Sequence, residues 1–280
     1  MIRVGSRIGG AFLLVAALTA CASAALGEPF HTERWGYQIE VPRGWKRIAD
    51  ADLQAMVAAA QNPGARTPLI FDAAFEPVGH RQPFEYPYVI VQVLPYSGVG
   101  LNRQINEDEF DNAIKGLTGV NLNDRMKKDL STRAQSLVSN PSIGQVVLER
   151  TKRRFWYTNE IGVAGVGRVR GMITGHFGRG SIVQVCYYAP AAQWDRHLDL
   201  AHEVGDSLKF DPAQAYSVEA AKAHPSNGFD WGRVASKSVF GAIIGGAIGA
   251  VRYLGSRGRK SAAVVPTGPP PLPGGRPPLG

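Results

Sequence analysis

The chain has 280 residues, a formal net charge of +8 and two cysteines, with 33 glycines and 19 prolines. Arg3, Arg7, Arg252, Arg257, Arg259, Lys260 and Arg276 lie at the two ends, where there are no acids, and without them residues 25–250 carry +1. A near-neutral middle lacks the broad basic footprint of a nucleic-acid binder and excludes that class. Two cysteines exclude a disulfide-stapled scaffold, so the fold must rest on its own core.

The amino end predicts export. Arg3 and Arg7 precede an apolar run from Gly9 to Ala20, too short to cross ~30 Å of hydrocarbon as a helix. Ala22-Ser23-Ala24 is a small-residue cleavage pattern, which makes residues 1–24 a signal peptide. Leu18-Thr19-Ala20-Cys21 also fits a bacterial lipobox, in which Cys21 becomes a lipidated first residue. The two cleavages exclude one another in any one molecule. Either leaves Cys186 as the free thiol. Its apolar strand surroundings, Ser181 to Tyr188, predict a buried, inert side chain rather than a nucleophile.

Residues 30–210 have the size of one domain. Trp35 to Pro42 alternates bulky and polar residues and reads as a strand and turn. Asp50 to Ala60 carries capping acids and helix formers. Leu69–Phe75 and Tyr88–Leu94 read as strands, the second a central one because it is nearly continuous in apolar residues. Asn106 to Lys115 reads as a capped helix with acids in its first turn, and Asn123 to Ser139 as a more polar one with an apolar stripe. Three strands follow. They are Gln145–Glu149 running on through Phe155–Thr158, then Gly167–Thr174, then Ser181–Tyr188, with Gly178-Arg179-Gly180 as a hairpin turn. An amphipathic helix from Pro190 to Leu208 closes the domain. This order predicts an α+β fold of layered helices on a mainly antiparallel sheet.

Beyond a linker at 211–236, the run Val239 to Val251 is strictly apolar and places Gly241, Gly245 and Gly249 at every fourth position. That spacing lines one helix face with small residues, the pattern of close helix association in bilayers. We therefore expect a glycine-zipper transmembrane helix over 237–255. The basic residues just after it point its tail to the cytoplasm and the domain outward. Residues 256–280 are basic and rich in proline and glycine, which predicts a disordered tail.

Tyr37-Gln-Ile-Glu-Val-Pro-Arg-Gly-Trp-Lys-Arg-Ile48 resembles the opening of PsbP/Mog1-like domains, in which a strand ends in proline and is followed by Gly-Trp. Ile182 to Pro190, followed by a helix and Asp206-Ser207-Leu208-Lys209-Phe210, resembles that family's last strand and helix. The resemblance covers the two edges of the domain, while residues 100–140 depart from the compact pattern. It implies an α/β/α sandwich and an accessory or binding role, with no family-wide catalytic residues to carry over.

No catalytic motif stands out: there is no H-E-x-x-H, no G-x-S-x-G and no P-loop. We therefore expect no enzyme, no cofactor and no metal. The polar face of Asp195, Asp199 and His202 is the nearest approach to a ligand set. Lys152, Arg153 and Arg154, with Arg168 and Arg170, form a candidate basic interaction patch if their strands pair. The expectation is a membrane-tethered envelope module that acts through a protein partner, or through self-association of the glycine-faced helix. A small-ligand or metal-binding envelope protein is the alternative, and an unrecognised hydrolase a lesser one.

Overall fold

The computed structural model describes residues 26–62, 69–101, 103–118, 121, 124, 130–223, 234 and 237–249. The expected signal segment with Cys21, much of the expected helix at 123–139 and the tail at 256–280 lie outside these residues.

In chain order the strands are β1 (Leu26–Thr32), β2 (Tyr37–Pro42), β3 (Trp45–Arg47), β4 (Ile70–Pro77), β5 (Tyr88–Pro95), β6 (Val138–Ile143), β7 (Val147–Glu149), β8 (Arg154–Val163), β9 (Gly167–Phe177), β10 (Ser181–Pro190) and β11 (Lys209–Phe210). The main helices are α1 (Asp50–Ala60), α2 (Glu109–Thr118), α3 (Trp194–Asp206) and α4 at 237–249. An eight-stranded sheet runs β3-β4-β5-β10-β9-β8-β6, with β7 also on β8, and β1-β2-β11 form a separate three-stranded sheet. Every pairing between these strands is antiparallel.

The central strands β5 and β10 are buried on both faces, which is why they read as unbroken apolar runs. Strand alternation then divides the core into two layers. Tyr88, Ile90, Ile182, Cys186 and Tyr188 belong to the cluster that includes α1, α2 and α4. Val89, Val91, Val183, Val185 and Tyr187 belong to the one that includes α3 and the small sheet. The arrangement is the expected α+β sandwich on an antiparallel sheet. Glycines on β9 make it close-packed: Gly171 and Gly175 lie opposite Tyr188 and Phe155, and a side chain on either would strike that ring.

Local chemistry sets the helix ends. In α2, the Asn106 side chain accepts from the Glu109 backbone N–H at 2.9 Å and the Glu109 carboxylate accepts from the Asn106 N–H at 3.0 Å, a capping box. In α1, Asp50 and Asp52 occupy the first turn, but the N-cap residue is Ala49 and makes no side-chain bond, so the acids act through the helix dipole.

Three expectations differ from the structure. The stretch 145–158 is not one strand, because a tight turn at Arg150–Lys152 with Arg153 at φ 50° folds β7 back on β8. The predicted helix at 123–139 is not continuous: among the described residues Leu130 bridges to Gln61, a short helical turn spans Thr132–Gln135, and by Val138 the chain has entered strand β6. Strand β10 continues through Pro190, and α3 begins only at Trp194.

Candidate functional site

Between the small sheet and β3 lies an open cleft of about 640 Å³. Phe30, Val41, Trp45 and Phe75 line it with apolar surface, and Arg43 and Arg47 add positive charge against one acid, Glu28. The walls are held by aromatic packing: Phe30 meets Phe75 edge-on at 5.3 Å, and Trp45 lies 5.8 Å from Tyr187. The Arg47 guanidinium sits 4.9 Å above the Phe30 ring and donates to Asp50 at 2.7 Å. Arg43 donates from Nε to the Leu26 carbonyl at 3.0 Å and makes no ion pair among the described residues. The cleft therefore combines an aromatic floor with an exposed cation that has no ion-pair partner among the described residues.

The five residues of the expected basic patch are placed differently. Strand β8 does pair with β9, but in a register that sets Arg154 opposite His176 and Arg170 opposite Glu160. Arg154 and Glu160 are six positions apart on one strand, roughly 20 Å at about 3.3 Å per residue, so the two groups occupy opposite ends of the hairpin. Each cation is also paired. Lys152 meets Glu149 at 2.9 Å, and Arg153 meets Glu107 at 3.6 Å while covering the Tyr216 ring. Arg154 is buried and bonds both Glu149 and Asp206. Arg168 and Arg170 share Glu160, with Arg170 also over Trp194. The Arg154 bond holds Glu149 down to about 2, from an ordinary 4.5.

The glycine face is directed at the sheet. A side chain on Gly241 would strike Gln92, one on Gly245 the Tyr188 hydroxyl at 2.6 Å, and one on Gly249 the Tyr86 ring at 2.7 Å. Small residues let α4 come close enough for sheet side chains to reach its backbone. Tyr188 donates to the Ala242 carbonyl at 2.6 Å, Tyr86 to that of Gly246 at 2.6 Å, and Gln92 to that of Lys237 at 3.2 Å. Tyr88 donates to the Gly245 carbonyl at 2.5 Å and accepts from the Gly249 N–H at 3.3 Å, so its hydroxyl sits at one i→i+4 rung of the helix. Among the described residues no helix is long and apolar enough to cross a membrane.

Cys186 is fully buried in this layer, and burial pushes its thiol up to about 12. It is thus unreactive in the folded chain, as its sequence context implies. His202 packs against the edge of Trp156 at 5.4 Å, and no three metal-ligating side chains converge among the described residues. The expected linker is docked over its first half: Ser217 and Gln104 exchange bonds at 2.6 and 3.0 Å, and Tyr216 packs on Phe110.

Two groups are not legible as a site from the chain alone. Arg43 and Trp45 belong to the strand-Pro-Arg-Gly-Trp motif, and only the apposition of two sheets makes them walls of a cleft. Gln92 and Gln184 lie inside apolar strands. A lone amide in a run of β-branched residues is nonetheless a signal, since a buried polar group needs a partner.

No family model and no curated protein matches the chain. Among solved structures it is similar to the solution structure of cyanobacterial PsbP (CyanoP) from Synechocystis sp. PCC 6803, with 14% identity and a TM-score of 0.37 over 68% of this chain and 95% of that one. It is also similar to the crystal structure of LpqN, involved in cell envelope biogenesis of Mycobacterium tuberculosis, with 11% identity and a TM-score of 0.33 over 66% and 90% of the two chains.

Proposed function

We propose that the chain is an extracytoplasmic, membrane-tethered accessory module of the cell envelope, non-enzymatic, which binds a protein partner in the cleft beside β3. The observation that carries this reading is the cleft itself: an aromatic floor with the charge of Arg43, unpaired among the described residues, at the edge of the central sheet. Strand β3 is three residues long and ends the sheet, so an extended segment could lie beside it with apolar side chains in the cleft. Acidic neighbours on that segment would meet Arg43 and Arg47. The cleft opens beside Leu26, close to the point where the exported chain would leave its tether. Its volume also suits a small anionic ligand, which is the second reading.

A photo-reactive residue at exposed Pro29, compared with one at exposed Ser139 on the opposite sheet edge, tests the proposal in intact cell envelopes. A single adduct from position 29, abolished by Arg43→Glu, is expected. Equal adducts from both positions, or none from either, would count against a partner in the cleft.

A further inference from the structure

We infer that α4 has two exclusive positions: docked on the central sheet as in this structure, or released into an anionic bilayer, with the sheet face beneath it serving as its reversible receptor. The inference deepens the tethered-module reading by assigning a second anchoring element and the site that withholds it.

Four observations carry it. First, the sheet layer holds the backbone of α4 as well as burying its apolar side chains. The hydroxyls of Tyr86, Tyr88 and Tyr188 and the amide of Gln92 all donate to main-chain carbonyls of the helix. Helix carbonyls already accept from the amide four residues on, so the helix keeps its own ladder when those donors are removed.

Second, the receptor face is incompletely satisfied. Gln92 and Gln184 are directly opposite one another on β5 and β10 and are fully buried. Their Nε2 atoms bond Lys237 and Ser238, but both Oε1 atoms lack a partner among the described residues. Buried amide oxygens left unpaired penalise the docked state and are relieved when water reaches them.

Third, the face offers water hydrogen-bonding groups among its apolar side chains: Tyr86, Tyr88, Tyr188, Gln92, Gln184 and Asn159 present polar atoms to α4 beside Ile90 and Ile161. Fourth, the helix is suited to lipid. From Val239 to Gly249 it has only apolar side chains and glycine, and in sequence Arg252, Arg257, Arg259 and Lys260 follow with no acid. Such a cluster is drawn to anionic headgroups. While α4 is docked, its glycine face is used by the sheet and cannot pair with another helix.

Cys186 provides the reporter, because it lies fully buried in the same layer as α4. A soluble form beginning at Ala25 keeps every described residue and has Cys186 as its only thiol. Its maleimide labelling rate is measured in buffer, with phosphatidylglycerol vesicles and with phosphatidylcholine vesicles, while the summed near-ultraviolet circular dichroism of the five tryptophans, Trp45 and Trp194 on the other face among them, shows whether the domain stays folded. Labelling at least about tenfold faster on phosphatidylglycerol alone, with the tryptophan signal intact, is the expected result. Gly245→Leu should raise labelling even in buffer. Vesicle binding with Cys186 still protected would overturn the two-position helix and leave the tethered-module reading standing. Failure to bind vesicles, or loss of the tryptophan signal on binding, would also overturn it, the second because the domain would then simply be unfolding. The cross-linking at Pro29 is independent of all these outcomes.

Discussion

The Tyr188 hydroxyl occupies the space that a side chain on Gly245 would need. A Cβ there would lie 2.6 Å from that oxygen, which is itself 2.6 Å from the Ala242 carbonyl one turn earlier. The glycine spacing of α4 is thus read by an aromatic side chain of the central strand.

Gly245→Ala sets two effects against each other. Alanine gains about 1 kcal/mol in helix propensity, while forcing Tyr188 or the helix to move costs about 1–3 kcal/mol. We expect the steric term to win and thermal unfolding to occur at a lower temperature. Tyr188→Phe alone should lose about 1 kcal/mol with its hydrogen bond. The double variant should be less destabilised than the two single losses combined, because the ring without its oxygen accommodates the methyl group. A stabilised Gly245→Ala would mean that α4 does not rest on Tyr188.

The buried pair of Arg103 and Glu109 joins the 101–106 segment to α2. Its two hydrogen bonds are 2.7 and 2.6 Å, and Glu109 is fully buried. Glu109→Ala strands the guanidinium and opens the capping box, so we expect a loss of about 3–5 kcal/mol in urea unfolding. Replacing both residues by apolar side chains of similar size should cost much less, since no unpaired charge is left buried.

Acid should destabilise the domain in two stages. Burial lowers His176 from 6.5 to about 4, opposed in part by its Nε2–H bond to the Gly205 carbonyl at 2.8 Å; Arg154 also lowers it, while Asp206 and Glu149 raise it. The folded chain refuses a proton that the unfolded chain accepts, so stability is full above about pH 6.5 and falls as pH drops toward 4. Glu149, held down to about 2 by Arg154, adds a second loss as pH falls from about 4.5 toward 2. His176→Gln should flatten the upper stage and spare the lower one. Urea midpoints across this range provide the measurement, and an unchanged slope between pH 6.5 and 4 would remove His176 as the cause.

Arg43 separates binding from folding. It is exposed and bonds only a backbone carbonyl among the described residues, so Arg43→Glu should change stability by no more than about 0.5 kcal/mol. Affinity for an acidic partner at the cleft should fall about tenfold or more, with most of the loss in the association rate. Titration of the isolated partner against both forms would read this directly, and equal affinities would move the site elsewhere.

Much of the layered core follows from local pattern. The unbroken apolar run of Tyr88 to Leu94 specifies a strand buried on both faces, and Asn106 with Glu109 specifies a capped helix start. Such features act over a few residues, so the sequence by itself determines them. It also determines that Cys186 is buried, because its neighbours alternate between two cores. Long-range geometry was decided only by the tertiary structure. Register placed Arg154 and Arg170 at opposite ends of a hairpin and gave each an acid, which no spacing along the chain reveals. The glycines at 241, 245 and 249 demand a close neighbour, but a bilayer helix and a sheet of tyrosines satisfy that demand equally. Only the fold supplied the second, because Tyr88 and Tyr188 come from two strands that meet about a hundred residues apart in the chain, with Tyr86 just before the first.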